Sequence, residues 1–303
     1  IANGAQHSLH YVAESTYGTT PSTPSYKPLP HTGTTLALTK DAIESEKLRG
    51  DRQVEDFRHG NKSIGGDVTA ELEYAAFDDL LEAALCGTWA TDVLKAGTTR
   101  RSFTLERSFA DLATQEYHRF TGCEVNSIAL SVAPNQMVTL TIGWIGKDMT
   151  LNTSKVTGST YAADAGETPF DSFTGSISEG GSTIATVTAL ELTLENGIEP
   201  LFSVGSSTTN RPAIGKSRVT GSLTTYFESK TLFQKFVNET SSSISLVLTD
   251  LDGNDYTIDL SNVKYNSGQP DVAGEGAVTV AMDFVGLYDS TDQSNIKITR
   301  STA

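Results

Sequence analysis

The stretch IGGDVTAELEYAAFDDLL, residues 64–81, has a counterpart in VTGSLTTYFESKTLFQKF, residues 219–236, at an offset of 155 residues without a gap. Apolar residues stand opposite each other at five positions, which are Ile64/Val219, Val68/Leu223, Leu72/Phe227, Phe77/Leu232 and Leu81/Phe236. The same offset aligns Gly60 with Gly215, and DAIES (41–45) with NGIEP (196–200). Because this register survives a loop of very different composition, it predicts an internal repeat.

A second block of the repeat aligns at an offset of 140, where residues 120–146 match residues 260–286 with seven identities in 27 pairs. The change of offset predicts 15 extra residues in the first copy, around CGTWATDVLKAGTTRRS (86–102). We interpret the chain as a tandem duplication of one domain. The expected segments are an N-terminal arm at 1–31, copy 1 at 32–150, a connector at 151–182, copy 2 at 183–290 and a C-terminal tail at 291–303.

Each copy shows the period of half-buried strands and one short amphipathic helix. VTLTIGW (138–144) and its twin (278–284) alternate apolar with small or polar residues. Helical spacing predicts a first helix that buries Phe77, Leu80, Leu81, Ala84 and Leu85 and stops at Gly87, and a second at 229–237 that buries Leu232, Phe233 and Phe236. The predicted fold class is mainly β, with two tandem antiparallel β-sandwich or barrel domains, each flanked by one short α-helix.

The arm and the connector differ in composition from the two copies. Four prolines, Pro21, Pro24, Pro28 and Pro30, exclude helix from the arm, which we expect to be extended. The connector is acidic and rich in Thr, Ser and Gly, and we expect a long, solvated crossing.

The composition narrows the classes of function. A chain of 303 residues with 37 % hydrophobic residues can bury a core, and its formal charge of −15 argues against a protein that coats duplex DNA. Neither a signal peptide nor a membrane-length apolar run is recognisable, so we expect no membrane association. Cys86 and Cys123 lie among apolar residues, which indicates reduced, buried thiols.

Two motifs invite a ligand-binding interpretation that their context does not support. AIGKS (213–217) resembles the end of a phosphate-binding loop, but Asn210 replaces the first glycine and a strand pattern follows instead of a helix. DLDGND (250–255) has the acids of a calcium loop with the glycine at the wrong place, so a hairpin turn is the better interpretation. We therefore predict no cofactor at either motif.

Catalytic and metal-binding patterns are also missing from the sequence. The five histidines, His7, His10, His31, His59 and His118, show no metal-ligand spacing, and no nucleophile elbow or carboxylate pair is recognisable. The tripeptide RGD (49–51) lies inside a longer charged run. The sequence thus predicts that the protein is not an enzyme and binds no metal.

One loop stands out by its charge. In ESEKLRGDRQVEDFR (44–58), nine of 15 residues are charged with interleaved signs, which suits pairing with complementary charges on another subunit or, alternatively, a solvated hairpin tip. The acids are Glu44, Glu46, Asp51, Glu55 and Asp56, and the bases are Lys47, Arg49, Arg52 and Arg58. The second copy has the nearly uncharged EPLFSVGSSTTNRPA (199–213) at this place, so the two loops have diverged.

Three segments together resemble a known family. HSLHYVAESTYGTTPSTP near the start, LRGDRQVEDFRHGNKSIGGDVTAELEYAAFDDLLEAALCGTW, and ATVTALELTLENGIEPLF are similar to tail tube (major tail) proteins of bacteriophages with long, non-contractile tails. The resemblance covers most of the chain. It implies a structural virion protein whose β-sandwich domains form six-domain rings that stack into a hollow tail.

The resemblance carries further expectations. A chain with two copies is expected to close as a homotrimer, with sheet edges paired between neighbours, and each charged loop is expected to reach the adjacent ring and to order on meeting it. The implied partners are other copies of the chain, a tape-measure protein, and tail terminator and tip proteins, while DNA transits the lumen without specific binding. Three chains at −15 would carry −45 per ring, which would keep DNA from adhering.

Two other classes of protein remain as alternatives from the sequence. A secreted bacterial surface or adhesion protein of two β-sandwiches would suit the RGD tripeptide and the Thr/Ser content, although secretion signals are missing. An enzyme would depend on AIGKS alone. The resemblance favours a tail tube subunit, made and assembled in the host cytoplasm.

Overall fold

The structure is a computed structural model that describes residues 1–48, 50–51, 53–272 and 274–303. The described residues contain two α-helices, α1 (Asp78–Leu85) and α2 (Thr231–Val237). The strands of the first half are β1 (His7–Ala13), β2 (Ser25–Pro28), β3 (Gly33–Thr34), β4 (Ala37–Glu44), β5 (Phe57–Glu71), β6 (Val93–Lys95), β7 (Phe103–Phe109), β8 (Glu116–Val132), β9 (Thr139–Gly146), β10 (Asp148–Asn152) and β11 (Thr160–Tyr161). Those of the second half are β12 (Ser176–Glu179), β13 (Ser182–Thr183), β14 (Val187–Glu195), β15 (Glu199–Leu201), β16 (Asn210–Ala213), β17 (Arg218–Tyr226), β18 (Ser242–Thr249), β19 (Asp255–Tyr265), β20 (Pro270–Asp271), β21 (Thr279–Gly286) and β22 (Lys297–Ser301). The predicted mainly β fold with two short helices is confirmed.

One antiparallel sheet runs through both halves of the chain, and we call it the long sheet. Its strands follow the order β4, β5, β9, β8, β14, β17, β21, and the edge beyond β21 is formed by the end of β19 and by β20. Strand β8 belongs to the first half and β14 to the second, so the sheet is continuous across the two copies.

The strand registers agree with the two offsets found in the sequence. In the first half Ile64 pairs with Gly146, and in the second half Val219, 155 residues after Ile64, pairs with Gly286, 140 residues after Gly146. The pair Val125 and Trp144 likewise corresponds to Tyr265 and Phe284, both 140 residues later. Aligned residues of the two halves thus occupy matching places in the long sheet, and we call them twins.

A bulge shifts the twins of the edge strand by one residue. Val68 pairs with Thr34, whereas its twin Leu223 pairs with Leu190, so β14 follows β4 at an offset of 156. The β4–β5 register slips between Lys40 and Ala42, where β5 has two residues, Gly60 and Asn61, opposite the single residue Asp41. The sequence alignment at 155 does not reveal this slip, because its anchor DAIES (41–45) begins where the slip occurs.

Strands β8 and β19 each pass from the long sheet into a second layer, which makes a β-sandwich of each half. The first part of β8 pairs with β7 and β10, and the first part of β19 pairs with β18 and β22. Gly122, at φ 65°, lies where β8 crosses between layers, a backbone conformation that favours glycine.

Large apolar side chains fill the space between the layers. Trp144 on the long sheet packs edge-on against Phe103 of the second layer, with ring centroids 6.0 Å apart. Both side chains are buried, as is Phe284, the twin of Trp144. Burial of a large aromatic side chain contributes several kcal/mol when its loss leaves a cavity, typically about 3–5 kcal/mol. The strand positions predicted to face inward therefore do form the core.

The helices differ from the sequence predictions in two ways. Helix α1 buries its apolar face as expected, but its left-handed cap is Cys86, at φ 48°, and not Gly87. Helix α2 was predicted to bury three residues, and none of its residues is buried. Its Leu232 and Phe236 are only partly covered by the core. The reason is that α1 is covered by the other half of the chain, whereas α2 has no such cover.

The arm, the connector and the tail all contribute strands. In the arm, β1 pairs along its length with β7, and β2 pairs with β1 and, in parallel, with β11 of the connector. In the connector, β12 pairs with β18 and Phe170 is buried. In the tail, β22 pairs with β19 and with β6 of copy 1. These segments hold the two halves together, and their limits as separate units stay a prediction.

Candidate assembly interface

The junction between the two halves is a strand pair with specific polar contacts at its end. Six residues of β14, from Leu190 to Glu195, pair with β8, from Val132 to Ser127. Beyond the last pair, the buried Asn196 side chain donates hydrogen bonds to the carbonyls of Ala84 (2.8 Å) and Val125 (3.0 Å). These bonds satisfy backbone groups that the junction removes from water.

A buried carboxylate binds the two halves electrostatically. Glu124 on β8 has a side chain only 3 % exposed, and it accepts hydrogen bonds from Arg100 of its own half and from Arg211 of the second half, the latter at 2.9 Å. A buried charge without a partner is costly, so removing either arginine weakens this contact strongly. Glu124 was not recognised from the sequence.

Helix α1 is part of the same junction. The Asp78 carboxylate contacts Tyr256 and Arg300, both from the second half, and the Ala75 N–H donates to the Tyr256 hydroxyl at 2.9 Å. Burial raises the pKa of Asp78, while hydrogen bonds from Tyr256 and Arg300 oppose that rise. The Tyr256 pKa is also raised, first by burial and then by Asp78. Contacts of this kind explain why α1, but not α2, is covered.

The two outer edges of the long sheet have no strand partner among the described residues. Strand β4 pairs with β5 alone, and β20 pairs with β21 alone. On the β4 side, the Leu36 N–H is bonded by the Thr34 hydroxyl, at 3.2 Å, instead of by a neighbouring strand. On the other side, Pro270 lacks an N–H, and proline in a sheet is confined largely to edges. An unpaired edge is a template for another chain.

Twins of buried residues are exposed near these edges. Val132, in the junction, is 9 % exposed, whereas its twin Val272 is 71 % exposed. Leu72 is 2 % exposed and its twin Phe227 is 40 % exposed. The same positions are therefore buried in copy 1 and exposed in copy 2, at the outer edge for Val272 and at the end of β17 for Phe227. An exposed apolar side chain at a free sheet edge, such as Val272, is a candidate contact for another chain.

The charged loop of the sequence analysis joins β4 to β5 and forms an exposed hairpin. Lys47 contacts Glu55, with 2.9 Å between Nζ and Oε2, and the guanidinium of Arg58 contacts Asp56 at 3.1 Å. The Gln53 N–H donates to Asp51, while Glu44 and Glu46 are exposed. Arg49 and Arg52 lie outside the described residues. Oppositely charged groups on the hairpin thus pair with each other in the single chain.

The corresponding loop of copy 2 lies against copy 1. It contains the short strands β15 and β16, and the Lys62 N–H donates to its Ser207 carbonyl at 2.7 Å. Arg211 on β16 reaches Glu124 and also lies 5.5 Å from the Tyr17 ring centroid. Sequence comparison marked this loop as diverged, and these contacts give a physical reason for its lack of other charges.

The face of the long sheet that points away from the sandwich core carries small and polar side chains. Its exposed acids are Asp67 on β5, Glu191 and Glu195 on β14, and Asp283 on β21. Across the strand pairs, Glu191 stands opposite Ser131 and Ser222, and Glu195 stands opposite Ser127 and Arg218. We call this surface the polar face. The sequence alternation predicted its polarity but not that both copies share it.

The ligand-like motifs have ordinary structural roles. AIGKS bridges strands β16 and β17, so no helix follows it. DLDGND turns the chain between β18 and β19, where Asp250 accepts hydrogen bonds from the N–H groups of Asp252 (2.9 Å) and Asn254 (2.8 Å). In the described part of the chain, no helix has the length and apolar character needed to cross a membrane, and no three His, Cys, Asp or Glu side chains come close enough to hold a metal ion.

Comparison with known proteins identifies the family to which the chain belongs. Curated protein sequences give no match to the chain. A family model described as phage tail tube protein matches residues 4–286, which is nearly the whole chain of 303 residues. The family consists of structural components of the virion tail, and the chain belongs to this phage tail tube protein family.

Proposed function

We propose that copies of this chain close into a ring by pairing the two free edges of the long sheet, and that stacked rings form a tube through which DNA passes. The observation that supports this proposal is the β8–β14 junction. It pairs one edge of copy 1 with one edge of copy 2, and the twins of these same two edges are the ones left unpaired.

The junction supplies a register for the contact between chains. Leu192 pairs with Leu130, and their twins are Leu36, which directly precedes β4, by the offset of 156, and Pro270, by the offset of 140. By the same two offsets, the twins of the paired residues Thr193 and Ala129 are Ala37 and Gln269, which should therefore pair between chains. In the ring, the Leu36 N–H would exchange the Thr34 hydroxyl for a carbonyl of the next chain.

The number of three chains per ring is proposed from the family resemblance. Each chain contributes eight strand positions to the long sheet, four from each copy, so a ring of three chains would close with 24. Closure would remove both exposed edges, which a lone subunit carries as an aggregation hazard. Two tandem copies per chain would then act as six nearly equivalent domains.

Cysteines at Ala37 and Gln269 test this register. Both residues are exposed, and directly opposed residues of antiparallel strands have the separation that a disulfide requires. We expect Ala37→Cys/Gln269→Cys to give covalent dimers and trimers on mild oxidation of the assembled protein, seen on non-reducing gels. The native Cys86 and Cys123 are free and buried, so they should not interfere.

The matched control moves one cysteine along β4. Asp41→Cys/Gln269→Cys places that thiol four residues away from Ala37, beyond disulfide reach in the proposed register. Crosslinking of the control with the same yield, or no crosslinking of the test pair in assembled rings, would rule out this register.

The polar face would line the tube. Exposed acids and hydroxyls predominate there, and the Arg218 cation stands opposite Glu195, so the face would on balance repel phosphate and DNA would slide without adhering. Glu191 and Glu195 lie on β14, where the two copies meet, and both are exposed. They are therefore the acids whose change should alter the lumen with little effect on the fold.

Reversing these two charges should make the tube retain DNA. We expect tubes of Glu191→Lys/Glu195→Lys to bind short duplex DNA in 50 mM salt and to release it as salt increases, because new phosphate contacts release counterions. Fluorescence anisotropy of labelled duplex measures the binding. Asp252→Lys/Glu239→Lys carries the same charge change away from the polar face, and equal DNA binding by this control would contradict the lumen assignment.

Stacking of rings is assigned to the charged hairpin. Of its charged residues, Glu46, Lys47, Asp51 and Glu55 lie beyond the paired ends of β4 and β5. The sequence from Glu46 to Glu55 interleaves both signs, which suits exchange of partners with an adjacent ring. A tape-measure protein inside the tube and terminator and tip proteins at its ends are the further partners that we propose. Assembly would take place in the host cytoplasm.

A further inference from the structure

The ion pair at the junction has twins of opposite charge. Glu124 corresponds to Lys264 at the offset of 140, and Arg211 corresponds to Asp56 at the offset of 155. In the single chain, the first two residues form a buried contact, with 2.9 Å between charged atoms. Their twins lie at the two outer edges of the chain, where they cannot meet each other.

The placement of Lys264 matches that of Glu124. Glu124 stands opposite Ile145 in the β8–β9 pair, and Lys264 stands opposite Val285 in the β19–β21 pair, with both offsets equal to 140. Lys264 is exposed, and no hydrogen bond or ion pair of its side chain occurs among the described residues. It is thus a cation at the edge of copy 2, at the position where copy 1 has a buried acid.

Asp56 occupies the corresponding place on the other edge. It precedes β5 directly, as Arg211 lies on β16 before β17, and the glycines that follow, Gly60 and Gly215, hold the offset of 155. Its side chain is 52 % exposed, and it contacts Arg58 of its own hairpin, which is 78 % exposed. Asp56 therefore stays open to a second cation.

We propose that Lys264 forms an ion pair with Asp56 of the next chain in the ring, so that the contact between chains repeats the contact within the chain with its charges exchanged. This inference rests on the ring described above. It also moves Asp56 from the stacking contact, expected from the sequence, to the contact within a ring.

The exchange of charges makes the two kinds of junction incompatible with each other. If the edge of copy 1 met the wrong partner, Glu124 would face Asp56, and Lys264 would face Arg211. Like charges placed opposite each other at an interface disfavour wrong partners strongly. Each β8 edge would therefore select a β14 edge over a β4 edge, and each copy 2 edge would select a β4 edge over a β14 edge. Tandem copies of similar sequence otherwise risk pairing with the wrong kind of edge.

Charge reversal tests the pair directly. Lys264→Glu and Asp56→Arg should each lower the amount of ring and tube about tenfold or more at fixed protein concentration, since each places like charges together. The combination Lys264→Glu/Asp56→Arg copies the Glu124–Arg211 pair into the contact between chains, and we expect assembly to return to within about threefold of wild type. Sedimentation and negative-stain images measure assembly, and thermal unfolding reports whether each subunit is folded.

A second double variant controls for net charge. Lys264→Glu/Asp252→Lys has the same net charge as the wild type, but its new lysine lies in the exposed turn between β18 and β19. We expect it to assemble as poorly as Lys264→Glu alone. If wild-type rings form while the single variants assemble normally, or while the Lys264→Glu/Asp56→Arg variant stays defective, the ion pair is wrong and the ring proposal stands. If the wild type forms neither rings nor tubes, the proposed function itself is wrong.

Discussion

Val272→Glu is expected to abolish ring closure and to leave the subunit folded. Val272 is 71 % exposed in the single chain, so the free energy of unfolding should change by less than about 0.5 kcal/mol. Its twin Val132 is 9 % exposed in the junction, which shows how far this position is buried once a neighbouring strand is present. Burying an unpaired carboxylate there should lower the association constant at least about 100-fold, or about 3 kcal/mol.

Analytical ultracentrifugation and thermal unfolding separate these two effects. Leu251→Glu is the matched control, because Leu251 is similarly exposed, at 75 %, but lies in the turn between β18 and β19. It should assemble as the wild type does. Val132→Glu should instead destabilise the single chain by several kcal/mol, since its side chain is already buried. If Val272→Glu formed normal rings, the proposed contact between the edges would be contradicted.

Shortening the charged hairpin is expected to block stacking without blocking ring formation. The Ser45 N–H donates to the Asp56 carbonyl at 3.0 Å, so these residues already form the base of a closed hairpin. Replacing residues 46–55 by Asn-Gly supplies a two-residue turn that fits this base and keeps Asp56 in place. Mean tube length in negative-stain images should fall at least about tenfold, leaving single rings or short stacks.

A variant of unchanged length shows whether charge or reach matters. Serine at Glu46, Lys47, Asp51 and Glu55, together with Arg49 and Arg52, keeps the hairpin but removes its tip charges. If charge pairing drives stacking, this variant should stack poorly as well, and the wild-type tubes should shorten in high salt. Tubes of normal length from the shortened hairpin would show that stacking uses another surface.

The repetition of strands could be predicted from sequence because it depends on local patterns. The alternation in 138–144 and 278–284, and the apolar pairs of the two aligned stretches, reflect which side of a strand faces a core. The structure places Ile64 opposite Gly146 and Val219 opposite Gly286, in agreement with the two offsets. A side chain's preference for the interior does not depend on which distant strand supplies the other wall.

The errors concern positions where the cover comes from far along the chain. Helix α2 has apolar residues at helical spacing, yet none of them is buried. Its twin α1 is covered by Tyr256 and Arg300 of the second half, and α2 has no such cover among the described residues. The bulge opposite Asp41 was also missed, since one extra residue in a strand leaves the flanking patterns intact. The left-handed end of α1 at Cys86 was assigned to the neighbouring glycine, as propensity favours.

The amino-acid sequence by itself determined the strand pattern, the duplication of that pattern and the membership of a tail tube family, because side-chain periodicity and residue identity are written along the chain. Only the tertiary structure decided that Glu124 meets Arg211, that β8 pairs with β14, and that the two outer edges of the long sheet have no strand partner among the described residues. Contacts between residues far apart in the sequence depend on how the strands assemble into the long sheet, and that assembly is set by packing across the whole chain rather than by any local stretch.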